Sequence, residues 1–373
     1  MIILKRILVG YLTNGNNSGI NKYLFNFIKQ ISSKKDYEID VISSDVGDIL
    51  KENLKDYKCK LYEIPKLKHP YKRYKAICKI IKDNKYDVVY SNISESFNCC
   101  TVLAAHKYKV KRIVVHSHAT GSSEENTLKR FIRVTLNKLF RIALHNSANV
   151  FVACSKEAGK WLFFKKDYKS KKFHVINNTI DFNEYTFDEK KREKIRKDLN
   201  ISNNDVVLGN VGNFEYSKNQ MFILQTLKEL LKRNNNYKFI LVGDGRLKDE
   251  FKEYVKNEGL TKNVIFTGII TNVNEVLNAM DIFVFPSVIE GFGIVALESQ
   301  VNGLPTIISD KVPNKVIISK NIYQLPLEMS DWCDMISDLS SYKRTKAKLL
   351  DNAYQYDNSN IEQFKYIIGD DIK

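Results

Sequence analysis

The chain alternates between short apolar runs rich in Val and Ile and longer segments whose apolar residues recur at helical spacing, and this alternation most restricts its fold. The pattern starts with the apolar run 5–12 and the helical segment 19–32, and it continues to about residue 180. A second series starts near residue 205 and ends near residue 310. Strands that alternate with helices form parallel sheets covered on both faces. We therefore predict an α/β fold with two doubly wound, Rossmann-like domains.

The junction between the two series predicts the domain boundaries. The 373 residues suffice for two domains of ordinary size. Residues 181–200 are rich in charge and poor in apolar side chains, which indicates a linker. We expect a first domain over 1–180, a second over 201–346, and carboxyl-terminal helices over 347–373.

The stretch 286–305 joins a buried strand to a glycine loop and a helix. Glu290 is followed by Gly291 and Gly293, and Glu298 lies in the helix-forming stretch beyond them. Such a loop directs backbone N–H groups and a helix N-terminus at a bound anion. With two carboxylates beside it, the loop suits a ligand that has a phosphate and several hydroxyls, such as a nucleotide sugar. The alternative is an ordinary strand–helix turn with two solvated glutamates.

The wider string resembles a family signature. EGFGIVALE at 290–298 is similar to the carboxyl-terminal signature of the retaining glycosyltransferases of family 4, which have the GT-B fold. That signature is two Glu eight positions apart, with Gly-Phe-Gly or Gly-Leu-Pro after the first. Segments 149–163 and 174–181 resemble the capsular and exopolysaccharide branch of this family. The resemblance covers nearly the whole chain.

The resemblance implies two Rossmann-like domains facing a central cleft, with ligands at the carboxyl ends of the strands. The second domain would bind the nucleotide sugar and the first the acceptor, and the helices over 347–373 could cross back to the first domain. Glu290 would bind sugar hydroxyls and place the anomeric carbon, while Glu298 would hold the ribose hydroxyls. Lys218 would stabilise the leaving diphosphate in the manner of an oxyanion hole.

Further donor contacts follow from the same resemblance. The family's usual phosphate-loop arginine is replaced by Asn213, a neutral donor where the arginine offers a charged fork. The other implied contacts are made mainly by backbone atoms: Phe292, Gly293 and Ile294 at the sugar, Gly243 in a Gly-x-Gly turn of the donor cleft, and Gly268 and Ile269 at the nucleobase. Taken alone, the turn at Gly243 is an ordinary one.

Three residues of the first domain are also candidates. Gly19 alone matches the family's Gly-Gly-x-Glu loop, and its backbone N–H could approach a phosphate. His116 and His118 lie at a strand end, two positions apart on one face, which could suggest a metal. No third ligand of a suitable type is nearby, so we expect no metal site. The family has a histidine here near the transferred sugar, and we favour His118 over His116.

The positive charge is concentrated in one half of the chain. The net charge is +16, and residues 1–180 hold 34 Lys and Arg against 15 Asp and Glu. An anionic membrane, nucleic acid or simply a solubilising surface would fit this excess. Segments 66–82 and 128–145 mix cations with apolar residues at helical spacing, as lipid-binding faces do. A core-facing stripe with a solvated basic face is the alternative, and no nucleic-acid recognition motif is present.

These observations predict a metal-independent, hexosyltransferase-type enzyme of capsule or exopolysaccharide biosynthesis. It would move a sugar from a nucleotide-sugar donor, a UDP-sugar being favoured, to a lipid-linked saccharide acceptor. We expect no cofactor. The start of the chain does not resemble a signal peptide, and no apolar run approaches a bilayer span, so we expect a cytoplasmic protein held peripherally on the inner face of the cell membrane. A nucleotide-sugar epimerase or phosphorylase on the same fold, or a degenerate transferase acting as a scaffold, are the alternatives.

Overall fold

The structure is a computed structural model that describes residues 4–14, 19–234, 236–270, 272–344, 347–350 and 360–369. The chain divides into two compact units. The first comprises Met1–Asn16, Ile20–Asn178 and Asp357–Lys373, and the second Asn17–Gly19 and Thr179–Tyr356. Each unit contains a parallel sheet with helices, which confirms the predicted α/β class.

The sheet of the first unit is seven-stranded over the described residues, and its neighbouring strands are parallel. Its strands are β1 (Lys5–Leu12), β2 (Tyr37–Ser43), β3 (Leu61–Glu63), β4 (Val88–Ile93), β5 (Arg112–Ser117), β6 (Val150–Ala153) and β7 (Phe173–Val175). Its helices before the second unit are α1 (Gly19–Ser32), α2 (Asp48–Leu54), α3 (Pro70–Asn84), α4 (Cys100–Lys107), α5 (Thr127–Ser147), α6 (Lys156–Leu162) and α7 (Lys165–Tyr168). The strand order is β3-β2-β1-β4-β5-β6-β7, so the winding direction reverses between β1 and β4.

The second unit repeats this plan with a six-stranded parallel sheet over its described residues. Its strands are β8 (Val206–Val211), β9 (Tyr237–Val242), β10 (Val264–Gly268), β11 (Ile282–Phe285), β12 (Thr306–Ser309) and β13 (Ile322–Leu325). Its helices are α8 (Phe182–Tyr185), α9 (Glu189–Asp198), α10 (Gln220–Arg233), α11 (Lys248–Asn257), α12 (Val273–Ala279), α13 (Ile294–Val301) and α14 (Met329–Leu339). The order β10-β9-β8-β11-β12-β13 reverses between β8 and β11.

The last described helix, α15 (Asn360–Ile368), belongs to the first unit. Phe364 packs edge-on against Phe27 of α1, with ring centroids 5.0 Å apart. The Nε of Arg112 donates to the carbonyl of Ile367 at 2.8 Å. The end of the chain therefore contributes to the core that β1 and α1 begin.

The segment 181–200, expected to be a linker, forms α8 and α9 of the second unit. Arg192 and Arg196 of α9 both bond to the carboxylate of Asp281, at 2.6 and 3.1 Å. The buried Arg196 also donates to the carbonyl of Ala279 at 3.1 Å. A segment poor in apolar residues packs here because its arginines bond to carbonyl and carboxylate oxygens.

Among the described residues, no helix combines the length and the apolar character needed to cross a membrane.

Candidate functional site

The reversal of strand order in the second unit places two loops side by side. In sheets of this kind, ligands bind outside the carboxyl ends of the strands at the point where the order reverses. Lys218 ends a 3₁₀ turn in the loop after β8, and Glu290 lies in the loop after β11. The backbone N–H of Val288 donates to the carbonyl of Ser217 at 2.9 Å and ties the loops together.

Lys218 and Glu290 form an ion pair, with Nζ of the lysine bonded to Oε2 of the glutamate. The other carboxylate oxygen accepts a hydrogen bond from the backbone N–H of Gly291 at 3.0 Å. The ammonium also lies 5.3 Å from the ring centroid of Phe285, within the range of a cation–π contact. The Lys218 side chain is 23% exposed and that of Glu290 12%. The Gly291 N–H and the Phe285 ring therefore hold the pair in place, and its partial exposure leaves it reachable by a ligand.

The N-terminus of α13 lies directly beyond Glu290. Its N-cap, Gly293, has a φ of +95°, in the left-handed region that favours glycine. The carbonyl of Gly293 accepts from the N–H of Ala296 at 3.0 Å, while Phe292 and Ile294 are buried. The left-handed backbone at Gly293 turns the loop into α13. Because the side chains of Phe292 and Ile294 are buried, only backbone atoms at 292–294 are suited to contact a ligand.

Glu298 is fully buried one turn into α13. Its carboxylate hydrogen-bonds with the hydroxyl of Tyr185 at the end of α8. Burial, and then the negative charge of Glu298, raise the pKa of Tyr185. Sequence reasoning missed this tyrosine because α8 lies in the segment assigned to a linker.

The remaining donor-site candidates lie after β8, β9 and β10. Asn213 is exposed, and its carbonyl accepts from Nε2 of Gln220 at 3.0 Å. The N–H of Gly243 donates to the carbonyl of Gly268 at 3.0 Å, and Ile269 is exposed. The carboxyl ends of three adjacent strands therefore form a single edge, joined by backbone hydrogen bonds.

Position 243 has to be a glycine because the backbone of Gly212 lies very close to it. Its φ is +139°, and a Cβ added there would lie 2.0 Å from the carbonyl oxygen of Gly212. Gly268, at a φ of +70°, has open space where its Cβ would be. The first glycine allows the loops after β8 and β9 to touch, and the second supplies only a turn.

The remaining candidates are Gly19 and the two histidines. Gly19 is the first residue of α1. His116 is fully buried near the end of β5, and its Nδ1 lies 2.5 Å from the hydroxyl of Tyr90. That hydroxyl donates to the hydroxyl of Tyr23 at 3.2 Å. His118 follows β5 and is partly buried, with Nε2 2.9 Å from Oδ1 of Asn92.

The two imidazole rings lie close together, with centroids 3.9 Å apart. Burial lowers the pKa of His118 to about 3. Burial, followed by the nearby His118, lowers the pKa of His116. Both rings are therefore neutral at physiological pH, so His118 can take part in hydrogen bonds but provides no charge. Over the described residues, no group of three His, Cys, Asp or Glu is arranged to hold a metal.

Acid is expected to destabilise the first unit through these histidines. Above the unfolded pKa of 6.5, the histidines are neutral in both the folded and the unfolded state, so they do not lower the free energy of unfolding. Below that value each unfolded histidine binds a proton, whereas folded His118 does not bind one until the pH falls to about 3. The free energy of unfolding should then fall by about 1.4 kcal/mol per pH unit for each histidine.

The measurement is urea unfolding between pH 7 and 5, a window chosen because carboxylates contribute little there. His118→Asn should have a shallower pH dependence than the wild type, while His106→Asn, at an exposed position, should keep the wild-type slope. Equal slopes for His118→Asn and the wild type would contradict a neutral His118 in the folded state.

Two family models match the chain and together span most of it. The model "Glycosyltransferase Family 4" matches residues 17–184, and the model "Glycosyl transferases group 1" matches residues 191–355.

Two curated relatives are similar over about two thirds of their own length. "Putative glycosyltransferase EpsF" of Bacillus subtilis is 28% identical over 251 residues, which are 66% of this chain and 65% of the relative. The "UDP-Gal:alpha-D-GlcNAc-diphosphoundecaprenol alpha-1,3-galactosyltransferase" of Escherichia coli is 26% identical over 268 residues, 71% of this chain and 68% of the relative.

A solved structure has a similar fold. Anabaena Alr3699/HepE in complex with UDP and glucose superimposes with a TM-score of 0.72 at 19% identity, over 91% of this chain and 93% of that one. At this identity the likeness is one of fold, and it confirms the predicted GT-B class.

Proposed function

We propose, because the chain belongs to glycosyltransferase family 4, that it transfers a sugar from a nucleotide-sugar donor to a lipid-linked saccharide acceptor in cell-surface polysaccharide biosynthesis. The observation that supports this most strongly is the Lys218–Glu290 pair at the strand-order reversal of the second unit, beside the N-terminus of α13. A cation, a carboxylate and helix N–H groups together match a diphosphate joined to a polyhydroxylated ring.

In this proposal Lys218 exchanges its bond to Glu290 for one to the donor diphosphate. The negative charge on the leaving diphosphate grows as the glycosidic bond breaks, so a fixed ammonium stabilises the transition state more than the ground state. Glu290, released from the lysine, accepts hydrogen bonds from sugar hydroxyls and places the anomeric carbon. The backbone N–H groups of Phe292, Gly293 and Ile294 orient the sugar.

Glu298 is proposed to bind the ribose hydroxyls beside its hydrogen bond with Tyr185, because a carboxylate can accept several hydrogen bonds. The backbone near Gly243, Gly268 and Ile269 lines the side of the nucleobase, and Asn213 supplies a neutral group near the phosphates. Gly19 is proposed to serve the phosphate and His118 the sugar. The sugar is transferred with retention and without a metal or cofactor.

A UDP-sugar is the favoured donor. In support, the galactosyltransferase relative is named for UDP-Gal, and Alr3699/HepE holds UDP and glucose. The same relative is named for an acceptor on diphosphoundecaprenol, which supports a lipid-linked acceptor here. Such an acceptor lies in a bilayer, so we place the protein peripherally on the inner face of the cell membrane, with no nucleic-acid partner.

Thermal unfolding with a panel of UDP, GDP, ADP and their common sugars tests the donor site. A ligand that binds only the folded state raises the midpoint, because it adds RT ln(1 + [L]/Kd) to the stability. We expect uridine compounds to stabilise the wild type and to lose most of that effect in Glu298→Ala. Stabilisation by none of the nucleotides at millimolar concentration would argue decisively against this site.

A further inference from the structure

Helix α5 is unusually exposed for a helix of its length. It has 21 residues, of which only Asn137, Leu144 and Ser147 are buried. Seven of its large apolar side chains are exposed, at 69% for Leu128, 69% for Phe131, 49% for Ile132, 36% for Leu136, 62% for Leu139, 38% for Phe140 and 58% for Ile142. Isolated exposed apolar residues are normal, but a contiguous set on one element marks an interaction site.

The seven residues share one side of the helix. At 3.6 residues per turn, positions 128, 131, 132, 136, 139, 140 and 142 fall within about half of the circumference. The buried Asn137 and Leu144 lie outside this arc, toward the rest of the first unit, and the buried Ser147 ends the helix. The helix is about 30 Å long at 1.5 Å per residue, so this apolar face is a long strip parallel to the helix axis.

The charge on α5 has one sign. The helix contains five Lys and Arg and no Asp or Glu. Arg133 is paired with Glu95 outside the helix, and Arg141 donates to the carbonyl of Trp161 at 2.5 Å. Lys129 and Lys138 are exposed beside the apolar strip. Cations flanking an apolar strip are the composition of helices that lie in the interface of anionic membranes.

A cavity of about 500 Å³ continues this strip at the carboxyl end of α5. It is lined by Ile142, His145, Asn146, Phe164, Lys165 and Lys166. Asp167 is adjacent, but its carboxylate bonds to Nδ1 of His145 at 2.5 Å. The exposed Lys165 and Lys166 thus stand beside apolar walls, as the phosphate and the glycerol of a lipid headgroup require.

The other basic segment, 66–82, is different. Only Leu67 and Tyr71 in this region are large, apolar and exposed. The apolar residues Ile77, Cys78 and Ile81 of α3 face the core instead. The sequence indicated a lipid-binding face equally for 66–82 and 128–145, whereas in the structure only the second segment has a long exposed apolar face.

We propose that α5 lies in the interface of an anionic bilayer, with its apolar strip among the acyl chains. A lipid phosphate then occupies the cavity beside Lys165 and Lys166. This proposal rests on the membrane-bound acceptor of the proposed function. A second copy of the chain is a poorer occupant, because two such helices would bring rows of like charge together. A bilayer with anionic lipid offers acyl chains to the apolar strip and negative headgroups to the cations.

Sedimentation of the full chain with vesicles tests this, using phosphatidylcholine alone and phosphatidylcholine mixed with phosphatidylglycerol. The wild type should bind the mixed vesicles more tightly and lose affinity with added salt. Phe131→Ser/Leu139→Ser/Ile142→Ser should weaken binding at least about 100-fold, since three side chains no longer enter the bilayer. Lys165→Gln/Lys166→Gln should lower affinity for the mixed vesicles about tenfold.

Leu67→Ser/Tyr71→Ser is the matched control and should bind as the wild type does. Thermal unfolding verifies that each variant is folded, and the shift with UDP should be unchanged, which separates this proposal from the donor site. The proposal is overturned if the wild type binds neither vesicle, or if the α5 triple variant binds like the control. It is also overturned if light scattering finds a wild-type dimer that the triple variant abolishes.

Discussion

Replacing Lys218 with Met is expected to lower kcat for sugar transfer by about 10²- to 10³-fold, because the leaving diphosphate loses its fixed positive charge. Met keeps the length and apolar stem of the side chain, so the contact with Phe285 survives in part. The measurement is nucleoside diphosphate release under saturating donor. An increase in KM alone, with kcat unchanged, would mean that the lysine binds substrate and transition state equally.

Two companion variants separate charge from structure. Lys218→Met leaves the carboxylate of Glu290 without its ammonium, which can lower stability as well as activity. The double variant Lys218→Met/Glu290→Gln removes both charges and should recover stability without recovering kcat. Lys218→Arg should retain more activity than Met, but less than the wild type, because a planar fork replaces a point charge. Recovery of transfer in the double variant would contradict the role of the lysine.

Gly243→Ala is expected to destabilise the second unit by about 2–6 kcal/mol, from backbone strain together with steric overlap. The added Cβ would lie 2.0 Å from the carbonyl oxygen of Gly212, so the loops after β8 and β9 have to separate. Urea unfolding followed by Trp332 fluorescence in a Trp161→Phe background reports the second unit alone, since the chain has two tryptophans.

Gly268→Ala is the matched control. This glycine also has a positive φ, but its Cβ would meet nothing within 4 Å. The expected loss is about 1–2 kcal/mol, from the left-handed backbone alone. Equal losses for the two variants would contradict the close approach of the loops at Gly243.

Local patterns were sufficient to predict most regular elements. The segment 5–12 forms β1 and the segment 19–32 forms α1, with the bounds that the sequence indicates. In α1 the buried Leu24, Phe27, Ile28 and Ile31 recur at helical spacing, so the period is unambiguous. Strand β13 and helix α14 were not predicted, since β13 is a four-residue strand that is only partly buried.

Contacts between residues far apart in the chain could not be predicted from local sequence patterns. Lys218 and Glu290 are 72 positions apart, and only the family resemblance, not the spacing, indicated that they belong to one site. Tyr185 and Glu298 meet because α8 packs on α13, and nothing in the charged segment around Tyr185 signals this. The neutral state of His118 follows from burial that depends on the whole sheet.

The most direct test of the account is transfer of radiolabelled sugar from UDP-sugars into lipid, with the full chain on phosphatidylglycerol-containing vesicles that hold undecaprenyl-diphosphate saccharides. We predict label in the organic extract with the wild type and its near absence with Glu290→Gln, which should remain folded. The proposed transfer would be contradicted if, with the wild type, the label stayed in the nucleotide sugar for every donor and acceptor. Equal transfer by Glu290→Gln and the wild type would contradict the role of Glu290.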